Sequence, residues 1–128
     1  MTGAMTAPMW RVGADVNALA VPSGQEITLQ DIFWEEGDGA ELVLRLRFIA
    51  PQIARATGTV DYDMAAKDML YLCEHFVLPQ IESGEDKPDQ IIVSLSDIEV
   101  PFGEANLDAT QFFEAYRIEG GACIWEIF

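Results

Sequence analysis

Along residues 41–49 apolar and polar residues alternate: Leu42, Leu44, Leu46 and Phe48 fall on one side, Glu41, Arg45 and Arg47 on the other. A period of two means a strand with one buried face, and Pro51 ends it. Residues 90–97 repeat the pattern, with Ile91, Val93 and Leu95 inward and Ser94 and Ser96 outward. The extra apolar Ile92 predicts cover on both faces, as in a central strand. In residues 27–36 the parity changes, from Ile27 and Leu29 to Ile32 and Trp34. That predicts a strand with a bulge near Gln30–Asp31, although Thr28 and Asp31 could also open a short helical turn. The strand reading is preferred because the next segment needs a partner across a Gly37-Asp38-Gly39 hairpin. Residues 111–118 and 122–128 read as two more strands, joined by a Gly120-Gly121 turn.

From Asp61 to about Phe76 the period lengthens. Ala65, Met69, Leu72, Cys73 and Phe76 recur at steps of three and four, which makes one apolar helical stripe. Asp61 or Asp63 supplies the N-cap acceptor, and Pro79 is expected to stop or kink the helix. These elements predict an α+β domain: a mainly antiparallel sheet of about five strands with one long helix packed on a face. Leu44, Leu46, Phe48, Met69 and Leu72 are the expected core. Residues 1–20 are small and weakly patterned and read as a loose N-terminal arm, leaving residues 21–128 as the single domain.

A chain of 128 residues is one domain's worth. Its charge narrows the functions open to it. Twenty-two acids against seven bases give a formal charge of −15. That argues against direct nucleic-acid binding, which needs clustered Lys and Arg, and against docking on anionic lipid. No stretch approaches the roughly 20 apolar residues of a membrane span, so no membrane insertion is expected. Ala18-Leu19-Ala20 resembles a signal-cleavage triplet, but Asp15 and Asn17 interrupt what would be the apolar region before it. No working signal peptide is read there, which fits either a cytoplasmic chain or one whose leader has been replaced.

Candidate chemistry is sparse. Cys73 and Cys123, with His75 as the only histidine, fit no zinc spacing. The two thiols read either as small buried hydrophobes or as a disulfide between the helix and the last strand, which would imply an oxidising compartment such as the periplasm. Cys73 and His75 lie two apart on a helix and do not face each other, so they make no nucleophile–base pair. Asp97 and Glu104 flank the Pro101-Phe102-Gly103 loop, and Glu114 lies in the next strand. These carboxylates read first as a solvated acidic edge, then as a weak cation site or an acid–base group. Arg45 and Arg47 are expected to neutralise acids such as Glu35 or Glu126, with a small anion site as the alternative. No metal ligand set and no cofactor motif is present.

Several stretches together are characteristic: Val21-Pro-Ser-Gly-Gln25, Arg45-Leu-Arg-Phe-Ile-Ala-Pro51, Leu72-Cys-Glu74, Ser96-Asp97, Pro101-Phe-Gly-Glu104, Thr110-Gln-Phe-Phe-Glu-Ala-Tyr116 and Cys123-Ile-Trp-Glu126. Over residues 21–128 the chain resembles a small uncharacterised protein family of alphaproteobacteria. The resemblance implies no activity and transfers no functional residue. It implies an export signal just before the Val-Pro-Ser-Gly segment, from which Asp15 and Asn17 depart.

The expected function is therefore that of a non-catalytic acidic accessory domain, a subunit-like module that binds another protein, with Asp97, Phe102, Glu104 and Glu114 as binding residues. One alternative is an inhibitor or immunity-type protein mimicking nucleic acid. The other is a small enzyme or cation-binding protein using Asp97, Glu104 and Glu114.

Overall fold

Strand β3 (Leu42–Ile49) lies inside the sheet and has a neighbour on each edge. The computed structural model describes residues 5–6, 19–37, 39, 41–82 and 87–126. In it, β1 (Met5–Thr6), β2 (Thr28–Glu36), β3, β4 (Gln90–Ser96), β5 (Gln111–Glu119) and β6 (Ala122–Glu126) follow one another across one sheet in chain order. Five are full strands and β1 has only two residues. Every pairing is antiparallel except β3 with β4, which is parallel. A parallel neighbour needs a long crossover, and here the helix supplies it. The result is the expected α+β arrangement, with the helix placed between the two central strands.

Leu44, Leu46 and Phe48 of β3 and Ile91, Val93 and Leu95 of β4 are almost fully buried, and they share the core with Ala65, Met69, Leu72 and Val77 of the helix. Each such side chain contributes about 1.5–3 kcal/mol on burial. The register of β2 against β3 shifts between Leu29 and Asp31, where the parity change lies. Gly120 and Gly121 close the β5–β6 hairpin with φ of 60° and 78°. Both signs are positive, which a two-residue turn matching the strand twist requires. Between β3 and the helix, a Cβ on Gly58 would lie 2.1 Å from the Gln52 carbonyl oxygen, so only glycine fits there.

The helix runs as α1 (Tyr62–Leu72), a π-helical turn (Cys73–Val77) and α2 (Leu78–Glu82). Asp61 is the N-cap, and its carboxylate accepts from the Met64 N–H at 2.9 Å. Of the stop or kink expected at Pro79, the stop does not occur: the helix continues to Glu82. Ahead of the proline the turn widens, so that the Leu78 N–H reaches back five residues to the Cys73 carbonyl. A wider turn relieves the crowding between a proline ring and the preceding carbonyls that otherwise breaks a helix.

That turn also meets the end of the sheet. Cys73 and Cys123 form a disulfide with Cα atoms 6.3 Å apart. Beside it the Cys123 N–H donates to Glu74 Oε2 at 3.2 Å. An edge strand exposes unpaired backbone groups that invite another chain; here one of those groups is taken by a helix side chain.

Most of the expected arm, residues 1–20, and the last two residues, Ile127 and Phe128, lie outside the described residues. Leu19 bridges Ile27 through a 3.1 Å backbone hydrogen bond. No helix among the described residues is long and apolar enough to cross a membrane.

Candidate binding surfaces

The helix covers one face of the sheet. On the other face the register sets two rows across the strands. Asp31, Arg47, Ser94 and Phe113 form one; Phe33, Arg45, Ile92 and Ala115 form the next. Arg45 Nε donates to Glu35 at 2.7 Å, as expected. Arg47 pairs instead with Asp31, at 3.0 Å, and its other terminal nitrogen donates to the Val100 carbonyl. Among the described residues no arginine pairs with Glu126, which accepts from Gln90 at 2.8 Å.

The Val100 carbonyl also accepts from Gln30 Nε2 at 3.0 Å, which fixes the β4–β5 loop over this face. The loop brings Phe102 onto Phe33, ring centroids 4.8 Å apart and edge-on, with the guanidinium carbons of Arg45 and Arg47 5.1 and 5.4 Å from the Phe102 ring. Cation–π contacts of this kind are worth about 0.5–1 kcal/mol at exposed sites. Between this loop and β5 lies a groove of about 200 Å³, with Phe102, Glu104, Gln111 and Phe113 on its walls and Arg45, Arg47 and Ser94 on its floor.

Glu114 belongs elsewhere. It follows Phe113 in β5, so its side chain emerges on the helix side. It is buried, 8% exposed, and accepts from the phenol of Tyr62 and, at 2.5 Å, from Trp125 Nε1. The first residue of α1 and a residue of β6 thus converge on one carboxylate. Phe112 packs edge-on against Tyr62 at 5.2 Å. Tyr62 and Trp125 remain 44% and 54% exposed, so two aromatic side chains stand at the surface with their polar atoms tied inward. Among the described residues no base forms an ion pair with Glu114.

The electrostatic mark of this arrangement is on the phenols. The hydrogen bond to Glu114, then burial, then the charges of Glu114 and Asp63 push Tyr62 up to about 12. Burial first, then the charges around it, raise Tyr116 still further. Because the folded-state value of Tyr62 exceeds its ordinary 10.0, its contribution to stability is complete below pH 10 and disappears as pH rises through about 12. Following phenolate absorbance with pH, with Tyr62→Phe as the reference, should show Tyr62 ionising near 12, and Glu114→Gln should bring it back toward 10. An unchanged titration in Glu114→Gln would mean that Glu114 does not hold the phenol.

Asp97 has a third location. Its Oδ1 accepts from the Thr110 N–H at 2.7 Å, and its own N–H donates to the Thr110 carbonyl at 3.1 Å. This clasp closes the base of the β4–β5 loop. Asp97, Glu104 and Glu114 thus have different surroundings: the loop base, the groove, and the contact with Tyr62 and Trp125. No group of three or more His, Cys, Asp or Glu that could hold a metal is present among the described residues. His75 stacks on Tyr71 at 4.2 Å.

Asp68 was not among the expected site residues. It is fully buried in α1 and accepts from the Ser23 N–H at 2.9 Å, the Ser23 hydroxyl at 2.5 Å and Gln25 Nε2 at 2.8 Å. It fastens the Val21–Gln25 segment to the helix. The signal was an acid three residues after Ala65, inside the apolar stripe.

A model of a family of unknown function (DUF6497) matches residues 4–128. No curated protein and no solved structure matches the chain.

Proposed function

The chain belongs to the DUF6497 family of unknown function, and on that premise we propose that it is a non-catalytic acidic domain that binds a basic partner protein through the Tyr62–Glu114–Trp125 surface. The observation that carries this reading is a buried carboxylate with no basic partner among the described residues, flanked by two exposed aromatic side chains. Aromatic side chains are favoured interface anchors, and a carboxylate beneath them favours a lysine or arginine. The charge of −15 speeds encounter with such a partner. The disulfide supports work in an oxidising compartment, such as the periplasm.

Nucleic-acid mimicry requires acids gathered on one face. Among the described residues the exposed acids, Glu26, Glu36, Glu41, Asp61, Asp63, Glu82, Asp89, Glu99, Glu104, Asp108 and Glu119, are instead spread over hairpins, strand and helix ends and loops. This favours a local docking site over a phosphate-like surface.

The test is capture of partners by the intact chain from its native host at low and high salt, with mass spectrometry, followed by affinity measurement on the recovered protein. A basic partner should lose at least about tenfold in affinity to Trp125→Ala, as expected of an interface anchor. Glu114→Gln should weaken it as well. Recovery of no reproducible partner, or of one bound equally well by both variants, overturns the reading.

A further inference from the structure

The groove on the sheet face opposite the helix has a chemistry of its own, independent of the partner surface. We infer that it is a binding site for a small organic acid with a flat apolar body, its carboxylate held by Arg45 and its ring set between Phe102 and Phe113.

Three observations converge. First, the donors of Arg45 are only partly used. Its Nε is engaged by Glu35, while both terminal Nη groups make no hydrogen bond to any described residue. The end of a guanidinium presents two parallel N–H donors that match a carboxylate, and a bidentate pair of this kind is among the stronger hydrogen bonds available. Second, the Ser94 hydroxyl and the Gln111 amide line the same groove and are equally without hydrogen bonds to described residues. The lining mixes polar and apolar groups about evenly, and a concavity with a few convergent polar groups is a common form of a small-molecule site. Third, the walls are aromatic and open: Phe102 and Phe113 are 48% and 61% exposed. Both line one groove, so the exposed apolar surface there is shared by two side chains rather than scattered.

Size selects within that class. The groove holds about 200 Å³, less than the roughly 300–1,000 Å³ of pockets for drug-sized ligands. One ring and one carboxylate suit it. The basic side chains of this face are gathered at the groove. Arg45 and Arg47 stand on one face of one strand and offset Glu35 and Asp31. Glu104 on the groove wall opposes the ligand, as do Glu35 and Asp31 beside the arginines, so the attraction rests on the open end of Arg45.

The experiment is titration of the isotope-labelled intact chain with benzoate, read from backbone amide shifts, with benzamide and acetate as controls. Saturable shifts are expected at Ser94, Phe102, Gln111 and Phe113. Benzamide, which lacks the charge, and acetate, which lacks the ring, should each bind at least about tenfold more weakly. Arg45→Gln should abolish saturation and Glu104→Gln should strengthen binding. Phe113→Ala, at an exposed position whose loss does not threaten the core, should weaken binding and decides the matter if Arg45→Gln fails to fold. The inference is overturned by an absence of saturable shifts with benzoate, by equal binding of benzamide, or by unchanged affinity in the folded variants of Arg45 and Phe113.

Discussion

Replacing Asp68 with alanine is expected to lower the unfolding free energy by about 3–5 kcal/mol. The carboxylate is fully buried and satisfies three donors, two from Ser23 and one from Gln25. A buried donor left without a partner costs about 1–3 kcal/mol. Ser23 is only half-buried and its hydroxyl can turn to water, so the three losses fall short of their simple maximum. Even so, the effect is large against the 5–15 kcal/mol total of a typical domain. Asp68→Asn keeps an acceptor but presents an amide N–H₂ to the donors that faced the carboxylate, so its cost should lie between wild type and alanine. Urea unfolding measures both. Hydrogen exchange should show the Val21–Gln25 segment released before the rest. A cost below about 1 kcal/mol for alanine would mean that the segment is held by Val21 and Ile27 packing, and that the polar clasp is incidental.

The elements of this fold were legible because each kept its own period. Period-two alternation at Leu42–Phe48 and Ile91–Leu95 identified the two central strands, and even the bulge in β2 was visible as a parity change. Their relative direction was not. An antiparallel and a parallel pair bury the same alternate residues, and only the path of the intervening helix decides between them. The continuation past Pro79 was hidden for a similar reason. Proline states that an ordinary turn cannot continue, not that a wider one will replace it.

Site residues were harder to place because function here depends on which face a residue occupies. Glu114 and Glu104 lie ten apart in sequence, yet one is beneath Tyr62 and Trp125 and the other is on the rim of the opposite groove. Adjacency of Phe112 and Phe113 already implied two destinations. Phe112 went to the helix side, against Tyr62, and Phe113 to the opposite face. What the sequence lacked was the identity of the partners: nothing local links Tyr62 to Glu114 across 52 positions.

Breaking the Cys73–Cys123 disulfide is expected to cost about 4 kcal/mol. The bridge closes a loop with a sequence separation of 50, and the chain-entropy relation for a loop of that size gives this value, because the open unfolded chain has more conformations to gain. Two comparisons separate this from packing. Reduced and oxidised wild type differ only in the covalent bond, whereas Cys73→Ala with Cys123→Ala also removes two buried sulfurs. Urea unfolding of all three should place the reduced protein well below the oxidised one and the alanine pair at or below the reduced one. Local consequences should follow the geometry. The bridge and the Glu74–Cys123 hydrogen bond both join the π-helical turn to β6, so amide exchange in residues 122–126 should accelerate more than exchange in β3 or β4. A freed β6 edge also invites pairing with a second chain, and the reduced protein should self-associate where the oxidised one does not. If reduction costs less than about 1 kcal/mol and leaves exchange in β6 unchanged, the edge is held by Glu74 and by side-chain packing alone, and the argument for an oxidising compartment loses its energetic basis.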